Sequence, residues 1–206
     1  MICETCPAGK FLQGCTGFAS GTCANCPSDS TSPQGSTSQL ECACNAGYSG
    51  NNGGTCSACE EGKKKLASDS SCVDCAAGTY AAQPASTLCT SCPQFSTSPP
   101  GSSAASSCLC NAGYTGTSGL TCAQCVAGKY KNAAGSTPCA SCDANAASPS
   151  ASDDVSDCAC LGGYYSTTAG KHDGCCLTGR RGIAASKSQE SCRHLPVCGV
   201  VGKHRD

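Results

Sequence analysis

Three stretches of the chain place their cysteines at identical gaps: Cys23-x2-Cys26-x15-Cys42-x-Cys44, Cys89-x2-Cys92-x15-Cys108-x-Cys110 and Cys139-x2-Cys142-x15-Cys158-x-Cys160. The residues between the cysteines drift while the gaps hold. A ruler of this kind means that the cysteines set the structure and the loops fill space, and an internal repeat decides the architecture before local propensity does.

Little else in the chain could hold a fold together. With 25 Cys in 206 residues, cysteine exceeds the level that marks a disulfide scaffold. Leu, Ile, Val and Phe together make up only about a tenth of the chain, and there is no Trp and one Met. Crosslinks must therefore replace the missing hydrophobic energy. Disorder is the competing outcome, but a formal net charge of -1 and a regular ruler argue against it. In the chain-entropy picture a closed loop of 15 residues stabilises a fold by about 3 kcal/mol, so several loops can outweigh a poor core.

Disulfides persist in oxidising compartments, which places the protein outside the cell or at its surface, by way of the secretory pathway. Met1-Ile2-Cys3 runs straight into the first motif, so no signal peptide is read in this chain. No window of 18 apolar residues exists, and no membrane span is expected. The near-neutral charge gives no reason to expect nucleic acid.

Aligning on the ruler gives three cysteine-rich units: residues 3–55, residues 56–121 and residues 122–174. The second is longer. Its ruler starts 66 residues after the first and 50 before the third. The 16-residue excess equals the spacing from Cys56 to Cys72, as a half-unit insertion would give. Each unit opens on Cys-x-x-Gly and an aromatic: Cys6/Gly9/Phe11, Cys75/Gly78/Tyr80 and Cys125/Gly128/Tyr130. A Ser/Thr/Pro loop follows, and a second Gly-aromatic turn closes the unit at Gly47-Tyr48, Gly113-Tyr114 and Gly163-Tyr164. Gly takes backbone angles that other residues resist, so these are tight turns. The aromatic after each is expected to cover a neighbouring disulfide, a packing role. No segment has helical periodicity. The expected fold is small and disulfide-rich: a tandem array of short β-hairpins of two to five residues per strand and turns, with almost no helix.

Residues 175–206 break the pattern. Cys175-Cys176, Cys192 and Cys198 do not fit the ruler, all three His lie at or beyond His172, and the composition turns basic. The stretch reads as an atypical tail or cap on which no function is built.

Cys-x-x-Cys-x-x-Gly-x-aromatic, then Cys-x-x-Cys-Pro, then Ser/Thr/Pro, then Cys-x-Cys-x-x-Gly-Tyr resembles the cysteine-rich EGF-like repeat of ephrin-receptor ectodomains over residues 3–165. Cousins of that repeat occur in large surface and flagellar-hair proteins of single-celled eukaryotes, and it is distantly similar to tumour-necrosis-factor-receptor modules. The resemblance implies an elongated array and, from EGF-like pairing across the Gly-Tyr turn, bridges Cys44–Cys56, Cys110–Cys122 and Cys160 with Cys175 or Cys176. For the other cysteines sequence leaves the connectivity open. Because 25 is odd, at least one cysteine is free, metal-bound or joined to another chain, and Cys15 or a tail cysteine is the candidate for an unpaired or interchain role.

Seven Cys-x2-Cys pairs carry metal-ligand spacing. Alternation with Cys-x-Cys and the Gly-aromatic turns favour disulfides over zinc, and no cofactor or metal is expected. Redox catalysis by Cys-x-x-Cys needs a strand-helix setting, which is missing. Nucleophilic catalysis needs a base, and no His precedes His172. Asp153-Asp154 with Asp157, and Glu60-Glu61 ahead of Lys63-Lys64-Lys65, read as solvated surface. Asp69 alone does not supply the oxygen ligands of a calcium site. No Asn-x-Ser/Thr sequon exists. The loops at Ser32-Pro33, Ser98-Pro99-Pro100 and Ser148-Pro149 are instead candidates for O-linked or hydroxyproline-linked sugar.

The sequence therefore leads to a non-enzymatic extracellular structural repeat protein: a rod, stalk or filament subunit that self-associates or meets other extracellular proteins. The alternative is a receptor or adhesion ectodomain, and a third reading is a metal-storing thiol protein.

Overall fold

A computed structural model describes residues 4–15, 20–168 and 171–177. Among them ten disulfides join each cysteine to the next partner along the chain: Cys6–Cys23, Cys26–Cys42, Cys44–Cys56, Cys59–Cys72, Cys75–Cys89, Cys92–Cys108, Cys110–Cys122, Cys125–Cys139, Cys142–Cys158 and Cys160–Cys175. These ten loops neither nest nor overlap one another, and the first of them also contains Cys15, which is disulfide-bonded in its own right. In each Cys-x2-Cys or Cys-x-Cys step from Cys23-x2-Cys26 to Cys158-x-Cys160 the first sulfur closes the loop behind and the second opens the loop ahead. Sulfur held in a disulfide is not a thiolate, and metal ligation needs the thiolate. This overturns zinc binding and thiol storage for these cysteines.

Every loop is a two-stranded antiparallel hairpin, numbered here 1 to 10 in chain order by its bridge. Hairpin 1 pairs Lys10–Gln13 with Thr22–Asn25. Hairpins 2 to 9 have two-residue strands, for example Tyr48–Ser49 against Ser57–Ala58 in hairpin 3 and Lys63–Lys64 against Val73–Asp74 in hairpin 4. Hairpin 10 pairs Tyr164–Thr168 with Lys171–Leu177. That last strand carries the pattern past residue 174, so the boundary drawn there from sequence falls inside a hairpin. The remaining regular structure is three short 3-10 turns, Gln39–Glu41, Ala105–Ser107 and Val155–Asp157, in hairpins 2, 6 and 9. A two-residue strand pair is too small to be stable alone. The core is correspondingly sulfur: Cys6, Cys42, Cys59, Cys75, Cys108, Cys110, Cys125 and Cys158 are nearly inaccessible.

One backbone rule builds all ten hairpins. The third residue after the opening cysteine has a positive φ, between +59° and +92°, at Gly9, Asp29, Gly47, Gly62, Gly78, Phe95, Gly113, Gly128, Asn145 and Gly163. This left-handed residue turns the chain into the first strand. Gly fills it at seven of the ten, and Asp29 and Asn145 are the side chains that best tolerate it. Its carbonyl then accepts the amide at the start of the following hairpin, as in Cys26 N to Gly9 O and Cys75 N to Gly62 O, at 2.9 and 2.8 Å.

The hairpins fall into three kinds. The leading hairpins are 1, 4, 5 and 8, and the middle hairpins, which follow 1, 5 and 8 and carry the Ser-Pro loops and the 3-10 turns, are 2, 6 and 9. Closing hairpins (3, 7, 10) end each unit. Hairpins 4 and 5 are two leading hairpins in succession, so the half-unit excess in the sequence is one additional leading hairpin. Contacts divide the chain into two compact units. One takes in residues up to Cys110 together with Thr117–Cys122, and the other Asn111–Gly116 with the residues from Ala123 onward.

Candidate functional site: the joints between hairpins

The most specific chemistry in the molecule lies where one hairpin meets the next. The amide of the left-handed residue in one hairpin donates to the carbonyl of the sixth residue after the opening cysteine of its successor. The pairs are Gly9 to Ser32, Gly47 to Lys65, Gly62 to Ala81, Gly78 to Ser98, Gly113 to Lys131 and Gly128 to Ser148, all at 2.8–2.9 Å. The amide of that sixth residue then donates further on: Leu12 to Ser36, Lys65 to Ser86, Ala81 to Ser102 and Lys131 to Ser152. Tyr80 and Ser102, and Tyr130 and Ser152, form parallel bridges beside these contacts. Lys65, Ala81 and Lys131 are thus gripped from both sides, and Ser32, Lys65, Ala81, Ser98, Lys131 and Ser148 are all buried.

The side chain at this position differs with the kind of joint. Where a middle hairpin follows a leading one it is Ser, and the hydroxyl donates back to a strand carbonyl of the leading hairpin: Ser32 Oγ to Lys10 O at 2.8 Å, Ser98 Oγ to Thr79 O at 3.0 Å and Ser148 Oγ to Lys129 O at 3.1 Å. These hydroxyls are buried and hydrogen-bonded to the neighbouring hairpin. Pro33, Pro99, Pro100 and Pro149 stand beside them in the exposed surface.

Where a leading hairpin follows a closing one the residue is Lys. Lys65 is 3% exposed, and its Nζ donates to Cys44 O at 3.1 Å and Asn45 O at 3.3 Å. Lys131 is 4% exposed, and its Nζ donates to Asn111 O at 3.3 Å and to Tyr114 O and Gly135 O, both at 2.8 Å. Burial of a charge lowers the pKa of the Lys131 ammonium from the ordinary lysine value. The carbonyl cage is what makes such burial tolerable. Sequence placed Lys65 on a solvated face, and the structure overturns this. The signal was its position, since Lys65 and Lys131 both stand six residues after an opening cysteine. Lys63 is the surface member of the run, paired across the hairpin with Asp74 at 2.7 Å.

A third contact reaches over an intervening hairpin. A Cβ built on Gly47 would overlap the carbonyl oxygen of Ala85, one on Gly62 that of Gly101, and one on Gly113 that of Ala151. Those opposing residues have positive φ themselves: Ala85 +55°, Gly101 +72° and Ala151 +61°. Their amides return to the opening cysteine of the preceding hairpin, Ala85 N to Cys59 O, Gly101 N to Cys75 O and Ala151 N to Cys125 O, each at 2.8 Å.

The remaining residues singled out from sequence take ordinary places. Cys44 is bonded to Cys56, Cys110 to Cys122 and Cys160 to Cys175. Cys15 is disulfide-bonded, so it is not the unpaired cysteine. Phe11 is buried, and Tyr48, Tyr80, Tyr114, Tyr130 and Tyr164 are half-buried. Asp154 and Asp157 form the capping box of the third 3-10 turn, with Asp154 Oδ1 accepting the Ser156 amide at 2.8 Å and Asp157 Oδ2 the Asp153 amide at 3.1 Å. Asp69 accepts the Leu66 amide at 2.9 Å. Cys192, His194 and Cys198 lie outside the described residues. No helix among the described residues is long and apolar enough to cross a membrane. No protein-family model matches the chain, and no curated protein matches it.

Proposed function

We propose that the protein is an extracellular structural repeat protein: a spacer, stalk or filament subunit without catalysis of its own, built to keep its form where disulfides are stable. One observation carries this reading. Of the polar side chains buried among the described residues, Lys65, Lys131, Ser32, Ser98 and Ser148 hold one hairpin to the next, and Ser36, Ser102 and Ser152 brace the Ser-Pro turns of their own hairpins. Groups built for chemistry are instead held with reactive atoms toward a substrate space. Small repeated units joined to their near neighbours suit spacing and assembly. The resemblance to ephrin-receptor-type EGF-like repeats, and to their cousins in protist surface and flagellar-hair proteins, points the same way. Sugar, where the chain carries it, belongs on the exposed prolines and hydroxyls of the middle hairpins. Electron microscopy of the purified full chain under oxidising conditions tests the reading. Uniform rods or end-to-end polymers are expected, and only compact particles in one-to-one complex with a soluble partner would count against it.

A second reading, a receptor or adhesion ectodomain, draws on the exposed apolar side chains Leu40, Leu88, Leu120 and Val126, each more than three-fifths accessible. They are scattered singly, and lone exposed apolar residues are ordinary. Crosslinking that trapped one defined partner through these leucines would promote it.

A further inference from the structure

A stretch of chain whose bridges each close one loop, in strict succession, as the nine from Cys26 to Cys175 do, has two possible paths for tension. Pulled from its ends, the force can run around every loop or straight across every disulfide. Because these nine loops do not overlap, the short path is continuous: across a bridge, along the two or three residues of a Cys-x-Cys or Cys-x2-Cys step, and across the next bridge. Each bridge spans 5.5–5.7 Å between Cα atoms and sequesters a separation of 12–17 residues.

We infer that the protein is a tether of capped length whose cap is released loop by loop by a dithiol reductant. At full backbone extension the oxidised stretch from Cys26 to Cys175 reaches about 120 Å, and the same stretch with its bridges cut reaches about 510 Å. The tight-turn hydrogen bonds and joints described above set the unstressed length. When tension breaks them, the sulfurs stop further extension. Nested or interleaved bridges would not give this result, because cutting one would leave its residues held inside another. Release follows ordinary thiol–disulfide exchange. A thiolate of the dithiol attacks one sulfur of the bridge, and the mixed disulfide is resolved by the second thiol. The reductant leaves as a cyclic disulfide, and the two chain cysteines take up the electrons and protons as thiols. Each cut adds about 35–55 Å of contour. The inference deepens the spacer reading, since a length limit matters only to a molecule that carries tension, but it rests on connectivity and is tested separately.

The experiment is single-molecule stretching of the full chain held by domains fused at its two ends, without and with dithiothreitol. Without reductant, unfolding of the hairpins gives no release steps in the 35–55 Å window. With reductant, steps appear singly in that window, at a rate rising with dithiothreitol concentration. The double variant Cys59→Ala/Cys72→Ala opens one leading hairpin and lengthens the unreduced chain by about 40 Å. Release steps of about 80 Å or more, reductant-independent release in the window, or an unchanged length in the double variant would each overturn the inference. If microscopy and crosslinking instead reveal a receptor, the spacer reading fails while these steps remain. If the steps are wrong while rods and polymers are seen, the tether fails and the spacer reading remains.

Discussion

Lys65 and Ala81 occupy the same place in successive hairpins. Each is the buried sixth residue after an opening cysteine, and each carbonyl accepts the amide of a left-handed glycine behind it, Gly47 or Gly62, at 2.8 Å. One is the longest ammonium-bearing side chain and the other a methyl group. The difference follows from what the preceding hairpin leaves unsatisfied. Behind Ala81, the carbonyl of Cys59 already holds the backbone amide of Ala85 at 2.8 Å. Behind Lys65, the carbonyl of Cys44 and that of Asn45 are met by the ammonium instead. Buried carbonyls must be paired, and a side chain supplies the donor where the backbone does not. The backbone joint is common to hairpins that follow a leading or a closing one, while the side chain is a local repair fitted to each neighbour.

If the backbone joint is the common element, the largest effect comes from damaging it. Gly62 and Gly128 have nearly the same φ, +79° and +82°, yet a Cβ on Gly62 would overlap Gly101 O while one on Gly128 meets nothing within 4 Å. A left-handed non-glycine residue costs roughly 1–2 kcal/mol. Gly128→Ala is expected to lose about that much, and Gly62→Ala about 3 kcal/mol or more because hairpins 4 and 6 must separate. Thermal unfolding with bridges intact ranks the two, and equal losses would show that the reach across a hairpin contributes nothing.

The repairs come next. Lys65→Met keeps the stem and removes the donor, leaving the Cys44 and Asn45 carbonyls to find new partners, at about 1–3 kcal/mol. Ser98→Ala frees one carbonyl, that of Thr79, and is expected to cost about 1 kcal/mol. Hydrogen exchange of the Gly47 amide reads the first joint and that of Gly78 the second. Faster exchange confined to the altered joint supports a local repair, whereas loss spread over all hairpins would mean that the joints act as one cooperative unit.

Lys131 sharpens the same point through pH. Its folded-state pKa is lowered by burial, so between that value and the unfolded value of about 10.4 the unfolded chain binds more protons than the folded one. Stability therefore rises with pH across this window. A Lys131→Met chain lacks that slope, and unfolding midpoints compared at neutral and alkaline pH would show it. Equal pH dependence in both chains would mean that the ammonium suffers no burial penalty.

The legible part of this molecule was its sulfur. Fixed gaps announced a disulfide scaffold of short hairpins, though not which cysteine joins which, because a loop closed every 12–17 residues leaves the intervening contents free to vary. The left-handed residue was legible where it is Gly and hidden where it is Asp29, Phe95 or Asn145, since those residues rarely advertise a positive φ. The joints were not legible. Glu60-Glu61 and Lys63-Lys64-Lys65 look like one charged surface run, and only the hairpin register sends Lys64 and Lys65 to different environments. Ser32, Ser98 and Ser148 sat in the loops that composition marked for sugar, and their burial depends on a neighbour that the local sequence does not contain.

The smallest expected effect separates two middle hairpins. In hairpin 2 Glu41 closes a capping box with Ser38, and Glu41 Oε1 accepts the Thr37 amide at 2.8 Å and the Ser38 amide at 2.9 Å. In hairpin 6 the equivalent position is Ser107, and the N-cap residue Ala104 makes no side-chain cap. The Thr37 amide, followed by that of Ser38 and the hydroxyls of Ser36 and Thr37, lowers the Glu41 pKa from its ordinary value. A carboxylate depressed in the folded state contributes stability that is present above its unfolded pKa and lost as pH falls through the folded one. Acid should therefore loosen the Gln39–Glu41 turn and leave Ala105–Ser107 unchanged. Exchange of the Thr37 and Ser38 amides, corrected for intrinsic rates, should accelerate on acidification in the native chain and lose that dependence in Glu41→Gln. The same acid response at hairpin 6 would break the comparison, because no carboxylate there could produce it.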